Sequence, residues 1–258
     1  MDEASPDIIF EQPVNERVRT ILRLEHLFAQ LAHHQADASP WGLRASLGAL
    51  IDILSLFSRN DLKGEIGREL SEKHQALAPL REREGVDIAK LDEILTQLET
   101  TAALIQDLSS QHTSQALKDS DFLLAIINRS AVPGGTSNID MPGYHRWLNA
   151  PDGIAQRDLA TWVERVQPFA QAIDLYLRML RDSSSWQELE LEDGLYVHKD
   201  NRKFHLIRVA VPASLEQYPE ISAGRQRFTL RLMHQRSALE RETPVEAVSR
   251  VRLSLCSL

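Results

Sequence analysis

The sequence predicts an α+β protein, mainly α: a helical bundle domain over residues 13–183, then a small antiparallel β-sheet domain over 184–258, joined by an N-terminal strand near 7–12. Three observations predict it. The apolar period changes once, near residue 184, from three-and-four to two. The helical segments are joined by short connections, as in a bundle. The chain of 258 residues is 43% hydrophobic and 26% charged, enough to bury one large core or two modest ones.

Each element has its own signal. Ile8-Ile9-Phe10 is a short β-prone run before Pro13. Val14, Val18, Ile21, Leu24, Leu27, Phe28 and Leu31 form the stripe of a first helix, and Leu43, Leu47, Leu50, Ile51, Leu54 and Phe57 that of a second. A charged helix over 61–83 bends or ends near Pro79, where the ring removes a donor and crowds the preceding turn. Asp87 caps a run from Ile88 to about Leu108. Residues 115–129 form another helix, stopped by Pro133-Gly134-Gly135, where proline sets the second turn position and glycine accepts positive φ at the third. A final helix spans Asp158–Arg181 with an interruption at Pro168. Beyond Ser183-Ser184-Ser185, Leu189 to Val197 reads as a hairpin closed by Asp193-Gly194, followed by strands at 204–211, 227–233 and 248–255.

Composition narrows function by exclusion. No stretch approaches the ~20 apolar residues of a membrane helix, and the acidic N-terminus lacks the blocks of a signal peptide. One cysteine, Cys256, forms no internal disulfide and suits a reducing cytoplasm; near the end of a last strand it reads as a small apolar residue. P-loop, dinucleotide, zincin and nucleophile-elbow motifs are absent. His33-His34 reads as an exposed pair at a helix end, since adjacent helical side chains diverge by about 100°. The sequence thus calls for no enzyme activity, no cofactor and no metal.

Charge is the remaining signal. The net charge is −8, yet residues 195–258 hold 11 Lys and Arg against 6 Asp and Glu. Arg19 and Arg23, with His26 three further on, border the apolar stripe of the first helix. Such a ridge suits a peptide offering a carboxylate and bulky apolar groups; the plainer reading is a solvated face partnered by Glu16 and Glu25. In Asp140–Leu148 a Pro-Gly turn opens a helix, and His145 points into a groove or serves as a structural histidine. Arg227, Thr229 and Arg231 share one strand face, and Arg250 and Arg252 another. Were these strands neighbours, four arginines without an interleaved acid would line one side of the sheet, more than solubility needs. An alternative function is nucleic-acid binding on that basic face, opposed by the acidic total and by Phe228, which alternates inward and offers no stacking platform.

Three ordered stretches carry a family resemblance. Ile9-Phe10-Glu11-Gln12-Pro13-Val14-Asn15-Glu16-Arg17-Val18-Arg19-Thr20 with Leu22-Arg23-Leu24-Glu25 is the first. Val132-Pro133-Gly134-Gly135, Ile139-Asp140-Met141-Pro142 and Tyr144-His145-Arg146-Trp147-Leu148 form the second, and Tyr218-Pro219-Glu220-Ile221-Ser222 with Arg227-Phe228-Thr229-Leu230-Arg231 the third. Together they resemble the Z-ring-associated ZapD family of bacterial cell-division proteins. The resemblance implies a homodimer, cytoplasmic at the mid-cell division site, that binds the C-terminal tail of FtsZ and bundles its protofilaments without catalysis. It implies no nucleic acid and no membrane insertion. It assigns tail binding to Arg23 and His145, beside which Arg19 stands one turn away. A third basic position of the family falls near Asp121, so Lys118, one turn earlier, is the expected substitute. Arg59, Arg227 and Arg231 match basic positions implicated in bundling, and residues 234–258 depart from the pattern.

Overall fold

A computed structural model describes residues 6–59, 62–107, 120–199, 203–224 and 227–257. The chain divides into two compact units, Met1–Thr20 with Leu177–Leu258, and Ile21–Tyr176. The architecture is α+β, mainly α, with antiparallel sheets.

The helical unit grows from amphipathic segments with local stop and start signals. Helix α1 (Glu16–Gln35) is capped by Asn15, whose Oδ1 accepts from the Val18 amide at 2.8 Å. It buries Val18, Ile21, Leu24 and Leu31. Helix α2 (Pro40–Arg59) buries Leu43, Leu47, Leu50, Ile53 and Leu54. Helix α3 (Leu62–Leu77) gives way to a 3₁₀ turn, Ala78–Glu82, where Pro79 prevents continuation. Helix α4 (Ile88–Asp107) starts where Asp87 Oδ1 accepts from the Lys90 amide, and packs along α3. Helix α5 (Asp121–Ser130) is capped by Ser120; the stretch 115–119 of the expected helix lies outside the described residues. Helix α6 (Pro142–Leu148) has proline in its first turn.

The helix expected from Asp158 to Arg181 with an interruption at Pro168 is two helices, α7 (Ile154–Glu164) and α8 (Gln167–Asp182). The break falls at Arg165-Val166, so Pro168 occupies the first turn of α8, where its missing N–H costs nothing. Among the described residues no single helix is long and apolar enough to cross a membrane.

The β unit holds two four-stranded antiparallel sheets in place of the expected one. The strands are β1 (Asp7–Pro13), β2 (Gln187–Leu191), β3 (Leu195–Lys199), β4 (Leu206–Pro212), β5 (Gln217–Ala223), β6 (Arg227–His234), β7 (Thr243–Pro244) and β8 (Ser249–Cys256). One sheet has the order β1-β4-β8-β2; the other has β3-β6-β5, with β7 beside the end of β6. Their inner faces meet in a shared core of Ile207, Val209, Val211, Phe228, Leu230, Leu232, Val251 and Leu253.

The hairpin expected at 189–197 is only a turn. Asp193 and Gly194 adopt φ of 51° and 63°, as a type I′ turn requires. One bridge, Glu192 to Leu195, follows before the strands part. Strand β2 pairs with β8 and β3 with β6, so each side of the turn joins a different sheet. Gly194 is obligatory for a second reason: a Cβ there would lie 2.6 Å from the Val245 carbonyl oxygen.

Candidate functional site

On α1, Arg19 is half-buried and Arg23 exposed, one turn apart on the same side of the helix. Arg19 Nε lies 3.2 Å from Glu16 Oε2, so the local acid anticipated for this face is engaged. The pair is solvent-exposed and contributes about 0.2–1 kcal/mol, weak enough for a competing carboxylate to displace Glu16.

The position of His145 is set by the aromatic residues around it. Tyr144 and Trp147 are buried while His145 between them is exposed, because successive helical side chains point about 100° apart. Phe122 of α5 meets Tyr144 at 5.9 Å and Trp147 at 5.4 Å, and Trp162 of α7 stacks on Phe122 at 6.2 Å. Trp147 Nε1 donates to Asp158 Oδ2 at 2.9 Å, joining α6 to α7. His145 therefore stands on a rigid short helix and is not a core histidine. The Tyr144 phenol is pushed above its usual range by burial, with the nearby Arg44 cation opposing the shift.

Asp121, where the resemblance places a basic residue, is an exposed acid in the first turn of α5, beside its Ser120 cap. An acid there meets the positive end of the helix dipole. Lys118 lies outside the described residues. Arg59 is the last residue of α2.

The arginines of the β unit are divided between the sheets. On β6, Arg227 and Arg231 are exposed on the outer face of the β3-β6-β5 sheet, with Thr229 half-buried between them. Lys199 pairs in register with Arg227, which adds a cation the sequence reading did not single out. Leu195 and Glu220 flank Arg231 on either side. Arg250 and Arg252 belong to β8, in the other sheet, so the expected four-arginine face does not form. Both also have acidic partners: Arg250 Nε lies 3.1 Å from Glu190 Oε2, and Arg252 bonds Asp7. The edge strands β1 and β2 supply acids that spacing within one strand could not reveal. Phe228 is buried and offers nucleic acid no surface to stack on. Among the described residues no cluster of three or more His, Cys, Asp or Glu side chains could hold a metal.

Sequence reading missed Trp41 and Arg44. Arg44 lies 4.7 Å from the centre of the Tyr144 ring and 5.6 Å from that of Trp41. The available signal was slight: a tryptophan in the first helical turn, ahead of an apolar stripe that begins at Leu43.

Comparison with known proteins supplies the family. The profile of the ZapD family, described as cell division protein, matches residues 22–231. The chain belongs to the ZapD family. Proteins named cell division protein ZapD from Bordetella pertussis and Methylococcus capsulatus are 34% and 33% identical to it, each over 97% of this chain and 98% of its own length. The ZapD protein of Bordetella petrii is 32% identical over 97% of this chain and 99% of its own. Arg23, Arg59, Lys118, His145, Arg227 and Arg231 all fall inside the ZapD match, which ends at Arg231; Arg19 precedes it.

Proposed function

We propose that this protein binds the C-terminal tail of FtsZ and, as a cytoplasmic homodimer at the division site, cross-links FtsZ protofilaments into bundles that stabilise the Z-ring. The observation that carries the reading is membership of a cell-division family across residues 22–231, within which Arg23 and His145 are both exposed on their helices. Arg23 offers a forked pair of donors to a tail carboxylate. His145 adds a further donor, and Arg19 and Lys118 add positive charge. Arg59, Arg227 and Arg231 meet the acidic filament body.

Bundling follows from valency. One short-peptide contact is weak, but a two-fold dimer carries two tail sites, so the second tail binds at raised effective concentration. The basic contacts make the assembly sensitive to salt, because exposed charges are screened beyond about 8–10 Å at physiological ionic strength.

The test is co-sedimentation with FtsZ filaments, with and without the C-terminal tail, at two salt concentrations. Pelleting should require the tail and fall at the higher salt. Pelleting that ignores the tail overturns the reading. Arg23→Glu should abolish binding of the isolated tail peptide while far-UV circular dichroism stays native; retained affinity removes Arg23 from the site.

A further inference from the structure

We propose that Trp41 and Arg44 form a preorganised clamp for a carboxylate flanked by an apolar side chain, and so extend the tail-binding surface beyond Arg23 and His145. This inference rests on the peptide-binding reading above and names contacts that reading does not include.

The clamp is built from four residues of the helical unit, two on α2, one on α6 and one in the turn before α6. Arg44 of α2 has Tyr144 of α6 against its guanidinium at 4.7 Å and Trp41 at 5.6 Å, so two aromatic rings hold the cation. Its Nη1 donates to the Thr136 carbonyl at 3.0 Å and to Thr136 Oγ1 at 2.8 Å, which fixes the group's rotation. Among the described residues no hydrogen bond to Nε or Nη2 and no carboxylate partner is found for Arg44. The edge carrying Nε and Nη2 is one from which an arginine donates two parallel bonds to a carboxylate. With one edge tied and two rings in place, that edge is the part left for a ligand.

Trp41 supplies the apolar half. It is 76% exposed, an unusual position for so large an apolar side chain. Its exposure is not that of a frayed end. Asp37 Oδ1 accepts from the Ser39 amide and Oδ2 from the Ser39 hydroxyl, each at 2.9 Å, and Ser39 Oγ accepts from the Gly42 amide at 3.1 Å. These bonds hold the Asp37 carboxyl below the usual carboxylate range. Gly42 permits the arrangement, since a Cβ there would lie 2.2 Å from the Asp37 carbonyl oxygen. The turn that presents Trp41 is therefore fixed before any ligand arrives, which lowers the entropy cost of binding. Tyr144, which supports Arg44, precedes His145 on α6, so the clamp and one of the two proposed tail contacts are built on the same short helix. The occupant is an acidic, apolar-containing peptide segment; an exposed indole beside an uncommitted guanidinium edge complements both of its parts.

The experiment uses the full chain and a fluorescently labelled synthetic peptide of the FtsZ C-terminal tail, read by anisotropy. Trp41→Ala, at an exposed position, should weaken binding by about tenfold or more, the loss typical of an aromatic anchor. Arg44→Lys, which keeps the charge but not the planar fork, should weaken it similarly, with near-UV circular dichroism reporting whether the Tyr144 packing survives. Saturating peptide should also protect the wild-type protein from acrylamide quenching, because Trp41 is exposed while Trp147 is buried. If Arg23→Glu loses the peptide while Trp41→Ala binds as wild type and quenching is unchanged, this inference falls and the tail-binding reading stands. If the wild type does not bind the peptide at all, the reading itself falls and takes this ligand with it.

Discussion

Glu11 offers the most direct test of what holds the β unit together. Arg181 reaches it with two donors, Nε to Oε1 at 2.9 Å and Nη2 to Oε2 at 2.7 Å. Arg208 Nε donates to Oε1 at 2.9 Å. The side chains are only 17% exposed for Glu11, 24% for Arg181 and 13% for Arg208, so solvent screens the triad weakly. Glu11→Gln keeps the shape but removes the only negative charge of the three, leaving two guanidinium groups facing each other across an amide. Breaking a fully buried pair costs about 3–5 kcal/mol; with the residual exposure here the expected loss is about 3 kcal/mol. At roughly 2–4 °C per kcal/mol for a chain of this size, the melting midpoint should fall by about 6–12 °C. Urea titration and thermal melts followed by far-UV circular dichroism measure both quantities. The double variant Glu11→Gln with Arg181→Gln should lose less than the sum of the single changes, since removing one cation relieves the repulsion. A loss under about 0.5 kcal/mol for Glu11→Gln, the range of an ordinary surface change, refutes the argument.

Three further outcomes are expected. Arg231→Glu should leave the affinity for an isolated tail peptide unchanged and lower the FtsZ pelleted at low salt, because Arg231 is exposed on β6 and does not belong to the peptide clamp; equal weakening in both assays would count against a separate bundling surface. Gly194→Ala should lower the unfolding free energy read from a urea titration by about 2 kcal/mol or more, combining left-handed backbone strain with the approach to the Val245 carbonyl, and a midpoint within error of wild type would contradict the φ of 63°. The Tyr218 phenol, which donates to Glu242, is pushed up to about 12 by that bond, so the folded state favours the neutral ring. Its contribution is fully present below the ordinary tyrosine value near 10 and is lost as pH rises through about 12; Tyr218→Phe should reduce the late part of the phenolate absorbance rise in an ultraviolet titration, to which the buried Tyr144 also contributes.

The charge pattern bears on function in a specific way. Basic side chains are neutralised where the fold needs them, as at Arg181, Arg208 and Arg252, and stand on the outer sheet face at Arg227 and Arg231. Trp186 lies against both Arg208 and Arg252, at 4.9 and 5.6 Å, so those guanidinium groups belong to the packing of the first sheet. A basic surface is therefore read from where the fold places each arginine, and counting arginines along a strand does not show it.

What the sequence determined by itself was local. Asn15, Asp87 and Ser120 cap helices because their side chains reach amides within three residues, and Pro79, Pro133 and Asp193-Gly194 mark breaks through their own backbone limits. Alternation gave the faces of β6 and β8 correctly, since a period of two is intrinsic to an extended chain. The tertiary structure alone decided which sheet each strand joins, that β2 and β3 part after one bridge, and that Asp7 and Glu11 reach arginines some 170–245 residues away. It also decided that Arg44 lies against Tyr144, which is 100 residues further along the chain. Such pairings follow from burying two inner sheet faces and one aromatic cluster together, and the free energy of burial depends on the final arrangement of distant segments, which a local pattern does not encode.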